Sequence, residues 1–126
     1  KLNDGHYIFG NSGKDNTKLT ACDLSKIVEE KGAGEIFINS IDNDGVGKGY
    51  DIDLIDDVSS SVNIPVIACG GVGEWDHFSD ALDKTNVDAV AAANIFHYID
   101  QSVFIAKKYL HDAGYNFRRP DLIKIK

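Results

Sequence analysis

The chain has 126 residues, the length of one ordinary domain, with 43% hydrophobic and 26% charged residues, a globular composition and not a disordered one. Thirteen basic against 20 acidic residues leave a net charge of −7 with no Lys/Arg cluster longer than a pair. That argues against a nucleic-acid groove and leaves an anionic substrate to be met by backbone N–H groups. No apolar run approaches the roughly 20 residues of a membrane span and no charged-then-apolar leader opens the chain, so a soluble, cytoplasmic protein is expected.

Residues 1–19 are polar and glycine-punctuated: Gly5, Gly10 and Gly13 surround a short strand-like piece, Tyr7 to Phe9. A long loop or hairpin is expected there, leading into a first helix. Thr20 caps that helix with Asp23 three residues on, Leu24, Ile27 and Val28 line one face, and Gly32 or Gly34 ends it. Glu35 to Asn39 follows as a strand. Ile52, Leu54, Ile55, Val58 and Val62 make the next helical stripe, with Asp51 as N-cap. Pro65 to Cys69 is a second strand; Phe78, Ala81 and Leu82 mark a third helix; Asp88 to Ala92 is a weaker third strand. Val103, Ala106, Tyr109 and Leu110 mark a fourth helix, closed by Gly114.

Continuous apolar runs without in/out alternation suit parallel strands buried on both faces, and the alternation of helix and strand is a βα repeat. A complete eight-stranded βα barrel takes roughly 250 residues, so 126 residues can hold only about half of one. It starts at Lys1 without Met, as an excised or processed segment would. Residues 20–126 form repeating helix-strand units in a single half-barrel, with two bare sheet edges that something must cover. A Rossmann-like sheet is the alternative, but G-x-G-x-x-G appears nowhere.

In such folds the ligand sits at the carboxyl ends of the strands. After the first strand come Ser40-Ile41-Asp42-Asn43-Asp44-Gly45, then Gly47, Gly49, Tyr50 and Asp51. A calcium loop fits poorly, since a strand precedes it and Asp51 stands for the final Glu. A capped Gly-rich turn is the plain reading; the sharper one sets a carboxylate and free N–H groups over the barrel mouth. After the second strand come Cys69-Gly70-Gly71-Val72-Gly73, directly before a helix, where glycines let the backbone approach a phosphate. After the third come Ala92, Ala93 and Asn94, with a short helical turn through His97. Two adjacent anion sites at the last two barrel strands form a phosphate pocket. Cys22 and Cys69 read as reduced thiols, and Cys69 lacks a base to make it a nucleophile. His97 reads as a packing residue; His6, His77 and His111 are too scattered for a metal set. No metal and no cofactor are expected.

Taken together, GAGEI (Gly32–Ile36), SIDNDG (Ser40–Gly45), GYD (Gly49–Asp51), IPVIACGGVG (Ile64–Gly73) and AAANIFH (Ala91–His97) resemble the cyclase-subunit (HisF) family of imidazole glycerol phosphate synthase. SGKDNT (Ser12–Thr17) is similar to the family's loop after its fifth strand. The isomerase of the same pathway normally lacks the step seen at Tyr50 and Asp51. The resemblance implies the carboxyl-terminal half of a TIM (βα)8 barrel, carrying strands six to eight. It implies a lyase of histidine biosynthesis that takes ammonia from a glutaminase partner to make imidazole glycerol phosphate and an aminoimidazole carboxamide ribonucleotide.

Carried over by motif, Asp44, Gly45, Gly70, Gly71, Ala93 and Asn94 surround a substrate phosphate. Ser12, Asn39 and Cys69 face the substrate, and Glu35 joins the charged ring at the ammonia gate. Serine is usual where Asn94 stands and common where Cys69 stands. The family's two catalytic aspartates would precede Lys1, so this chain carries no catalytic residue of its own and is expected to be inactive alone. Its partners would be the glutaminase, the amino-terminal half-barrel or a second copy, and a phosphorylated small molecule. The lead-in Lys1–Gly5 and the tail Gly114–Leu122 resemble cyclase homologues found beside surface-sugar amidotransferases, which keep the barrel but deliver ammonia elsewhere. A non-catalytic phosphate-binding half-barrel that homodimerises is the remaining alternative.

Overall fold

The computed structural model describes residue 2, residues 5–97 and residues 103–120. Most of the lead-in Lys1–Gly5 and the end of the tail Gly114–Leu122 therefore lie outside the described residues.

The glycine-punctuated start is an antiparallel hairpin, β1 (Tyr7–Gly10) against β2 (Asp15–Thr20). Its tip turns through Asn11, Ser12 and Gly13, all with positive φ. The register slips between Tyr7 and Phe9, which pair with Thr20 and Asn16. Lys18, at φ 63°, sits in the excess of β2, and Thr17 Oγ1 donates to Ile8 O at 2.8 Å across it. Such a bulge bends the hairpin and sharpens its twist.

Thr20 ends the hairpin and starts α1 (Ala21–Glu30): its hydroxyl accepts from Asp23 N at 3.0 Å. β3 (Ile36–Asn39), β4 (Val66–Cys69) and β5 (Ala89–Val90) form a parallel sheet in the order β3-β4-β5. Ile36 pairs with Val66, Asn39 with Cys69, and Ile67 with Ala89. Between the strands run α2 (Ile52–Ser59) and α3 (Asp76–Lys84), and α4 (Val103–Asp112) follows. Asp51 caps α2, its carboxylate accepting from Leu54 N at 3.2 Å.

Two expectations need correction. β5 spans two residues, not Asp88 to Ala92. As an edge strand with one neighbour it holds at its ends only by single bonds, Asp88 N to Val66 O at 3.0 Å and Ala91 N to Ala68 O at 2.8 Å. The strands are also not buried on both faces. Ile38, Val66 and Ala68 are buried, while on the opposite face Phe37 is 59% exposed and Asn39 is exposed. The described chain places its core on one side only, where Leu54, Ile55, Val58, Phe78, Ala81, Ala106 and Leu110 close over the sheet. Val62 lies beyond the end of α2 and packs on this core from its margin.

This one-sidedness separates two substitutions. Ile55 is 2% exposed, so Ile55→Ala should cost about 2–5 kcal/mol through lost contacts and a cavity. Phe37→Ala should change the stability of the isolated chain by no more than about 0.5 kcal/mol. Urea unfolding of both variants checks this; a large loss for Phe37→Ala would show that its face is covered in solution.

Candidate functional site

Three loops follow the carboxyl ends of β3, β4 and β5, and they interlock through their backbones. Gly49 N donates to Gly71 O at 2.8 Å, and Asn43 Nδ2 donates to Gly49 O at 3.1 Å. Gly71 has φ +110°, and a Cβ there would lie 2.0 Å from Gly49 O, so only glycine lets the first two loops meet. The third loop is drawn in by Tyr50, whose hydroxyl donates to Ala91 O at 2.8 Å. Burial pushes the Tyr50 hydroxyl well above the usual tyrosine range, so it stays a donor. Its ring meets Phe78 edge-on at 6.3 Å; Trp75 stacks on Phe78 at 6.0 Å and lies 6.3 Å from Phe96 in the third loop. These aromatic rings form a floor beneath the three loops.

Above that floor is a shallow cradle lined by Asp44, Gly45, Cys69, Gly70, Gly71, Val72, Ala92, Ala93 and Asn94. All six residues that the resemblance assigns to phosphate line it, and Cys69 joins them. Gly71 and Val72 are buried, and no acceptor serves their N–H groups among the described residues. No cationic side chain lines the cradle.

The acid in the cradle is held in place: Asn39 Nδ2 donates to Asp44 Oδ2 at 3.2 Å. Burial pushes the Cys69 thiol up, opposed by the Gly70 N–H and reinforced by the negative charge of Asp44. A neutral thiol is a poor nucleophile, in line with the absence of a base in the sequence around Cys69.

The glycine loop does not run directly into a helix, as the sequence suggested. α3 starts at Asp76, after Glu74 and Trp75, and its N-cap Trp75 makes no side-chain cap bond. The N–H groups of Gly73 and Glu74 go instead to His77 Nδ1, at 3.1 and 3.3 Å. The sequence reading weighed this histidine only as a metal ligand and gave it no backbone role. A ring acceptor three or four residues after a glycine turn is the signal that could have found it.

Ser12 lies apart from the cradle, exposed at the hairpin tip, next to Gly13, which faces Ile41. Glu35 is exposed at the opposite, amino-terminal end of β3. His97 is exposed at the end of a 3-10 turn, Asn94–His97. A larger cavity of about 300 Å³ runs beside β3 under the hairpin, lined by His6, Tyr7, Phe9, Ile38, Asn39, Ser40 and Asp51 among others. His6, weighed from the sequence only as a metal ligand, is buried there. Its Nδ1 is 3.2 Å from Asp57 Oδ2, and its Nε2 lies 3.5 Å from Asp51 Oδ1 without forming a hydrogen bond. His6 thus pins the hairpin to α2. Among the described residues no group of three or more His, Cys, Asp or Glu is placed to hold a metal ion, and no helix is long and apolar enough to cross a membrane.

Two outcomes follow. Gly71→Ala should separate the first two loops and lower stability by about 2 kcal/mol or more, since a Cβ meets a backbone oxygen that cannot step aside; thermal unfolding with hydrogen exchange at Gly49 reads both effects. Cys69, its thiolate disfavoured, should react with iodoacetamide at neutral pH more slowly than an unperturbed thiol, and speed up as pH rises past the usual thiol range; peptide mass spectrometry over time measures it.

Residues 2–102 match the family described as histidine biosynthesis protein. The imidazole glycerol phosphate synthase subunit HisF of Clostridium botulinum (strain Okra) is 43% identical over 118 residues, covering 94% of this chain and 47% of that protein. The HisF subunit of Chlorobium limicola is 45% identical over 114 residues, covering 90% and 45%. A mutant FabK from Thermotoga maritima is similar with a TM-score of 0.49 and 26% identity, over 73% of this chain and 32% of that chain. The chain spans about half the length of the curated relatives it matches. With an α/β fold around a parallel sheet and HisF subunits as its matched relatives, the chain belongs to the histidine biosynthesis protein family.

Proposed function

We propose that this chain is the carboxyl-terminal half-barrel of a cyclase subunit of imidazole glycerol phosphate synthase, and that its cradle holds one phosphate of the substrate. The observation that carries the reading is the convergence of Gly45, Gly70, Gly71, Ala93 and Asn94, from three separate loops, on one concavity where the Gly71 and Val72 N–H groups lack acceptors. Backbone N–H groups bind an anion without a cationic side chain. The Asp44 carboxylate accepts and does not donate, so at the rim it serves substrate hydroxyls while the amides take the phosphate.

The other assignments follow from position. Asn39 and Cys69 flank the cradle on the uncovered face of the sheet, where substrate would lie. Ser12, on the hairpin, would reach substrate only by closure of that arm. Glu35, at the far end of β3, suits the entrance through which a glutaminase partner passes ammonia. Phe37, Ile67 and Ala89 on the uncovered face, and the unpaired edge of β3, are where an amino-terminal half-barrel or a second copy would complete the interior. The resemblance assigns acid and base to aspartates outside this sequence, so the residues here bind and position, and turnover needs the other half. The exposed Phe37 also favours a second reading, a phosphate-binding half-barrel that pairs with a copy of itself.

Inorganic phosphate titrated into the ¹⁵N-labelled chain should shift the amides of Gly45, Gly71, Val72 and Asn94 and leave Glu35 unmoved. Unchanged spectra at saturating phosphate would overturn the cradle. Mixing the chain with the amino-terminal half of a HisF relative should then restore ammonia-dependent formation of imidazole glycerol phosphate; a self-paired chain that ignores the added half would favour the second reading.

A further inference from the structure

We infer that His77 is the positioning residue of the anion cradle: its imidazole Nδ1 gathers the N–H groups of Gly73 and Glu74 and thereby sets the backbone that presents the Gly71 and Val72 N–H groups. The inference rests on the cradle reading above and extends it to a residue outside the cradle lining.

Two donors converge on one ring nitrogen, Gly73 N at 3.1 Å and Glu74 N at 3.3 Å. A nitrogen that receives N–H bonds must present its lone pair, so Nδ1 is the acceptor and the ring N–H lies on Nε2. The imidazolium would set a donor against two donors. The ring also lies against the first loop, since a Cβ on Gly49 would meet His77 Cδ2 at 3.4 Å. His77 therefore bonds the second loop and stands where a side chain at Gly49 of the first would meet it.

The arrangement answers a local need. α3 opens without a side-chain cap at Trp75, and His77, the second residue of the helix, reaches back to the turn before it, as the Glu or Gln of a capping box does. By occupying the Gly73 and Glu74 N–H groups it removes them as competing anion donors. Gly73 in turn abuts the first loop, where a Cβ would lie 2.3 Å from Gly47 O. A shift of Gly73 is therefore passed to the loop that carries Gly45.

His77→Phe keeps a ring of similar shape without the acceptor, and His77→Gln restores an acceptor on a chain long enough to reach back. In the ligand-free 126-residue protein, ¹⁵N NMR should show Nδ1 unprotonated, with a through-hydrogen-bond coupling to Gly73 N; a protonated Nδ1 overturns the proposal whether or not the variants fold. Hydrogen exchange at Gly73 and Glu74 should speed up in His77→Phe and recover in His77→Gln. Inorganic phosphate, followed at the Gly71 and Val72 amides, should bind about tenfold more weakly to His77→Phe, with recovery in His77→Gln. Equal affinity in His77→Phe and the parent chain, where the parent does respond, overturns the role of His77 alone. A parent chain whose Gly71 and Val72 amides ignore phosphate overturns the cradle, and the role of His77 with it.

Discussion

The Gly71 backbone lies so close to the Gly49 carbonyl that no side chain fits between them, and the hydrogen bond from Gly49 N to Gly71 O closes the contact at 2.8 Å. Much of the site's order depends on this approach. It joins the loop after β3 to the loop after β4, and the neighbouring Tyr50 then reaches across to the Ala91 carbonyl after β5. Loops are usually the least ordered part of a domain. Here backbone contact, a buried tyrosine and a floor of aromatic rings make the three behave as one rigid rim. A rim of that kind can hold N–H groups in a fixed array, which is what anion binding without cationic side chains requires.

The same fold leaves its sheet half dressed. In-register pairing sends Ile38, Val66 and Ala68 to one face and Phe37, Ile67 and Cys69 to the other, because side chains alternate along a strand. The buried face has its helices, and the other has Phe37 in the open. All-parallel sheets usually have both faces covered, and here Phe37 lies exposed on β3, which among the described residues pairs only with β4.

Much of this was legible in the sequence, for definite reasons. The caps at Thr20 and Asp51 announced themselves because a polar side chain before a helical stripe has few other uses. That the loops after the three strands would come together was legible because parallel strands bring their carboxyl ends to one side; which residues of those loops line the cradle was implied by the family resemblance alone. The strands were read as buried on both faces because their apolar runs lack alternation, a pattern that does not say whether helices of the same chain cover both faces, and here they cover one. His6 and His77 stayed hidden for a different reason. Each acts through one ring nitrogen on partners fixed by tertiary geometry: His6 meets Asp57 across 51 positions, and His77 serves backbone groups that carry no sequence signature at all.

The electrostatics explain why backbone contact and not side-chain charge organises the rim. In a chain of net charge −7, an anion would approach against the field, and Asp44 stands at the rim itself. A lysine in the cradle would ease that approach but would also pair with Asp44 and compete for it. Fixed N–H dipoles would attract an anion without neutralising the carboxylate, so on the reading proposed above Asp44 stays an acceptor for hydroxyls beside the cradle. The demand falls on geometry: dipoles substitute for charge only when several converge. That is why glycine at position 71 and a capping ring at position 77 matter more to this site than any ion pair in the described chain.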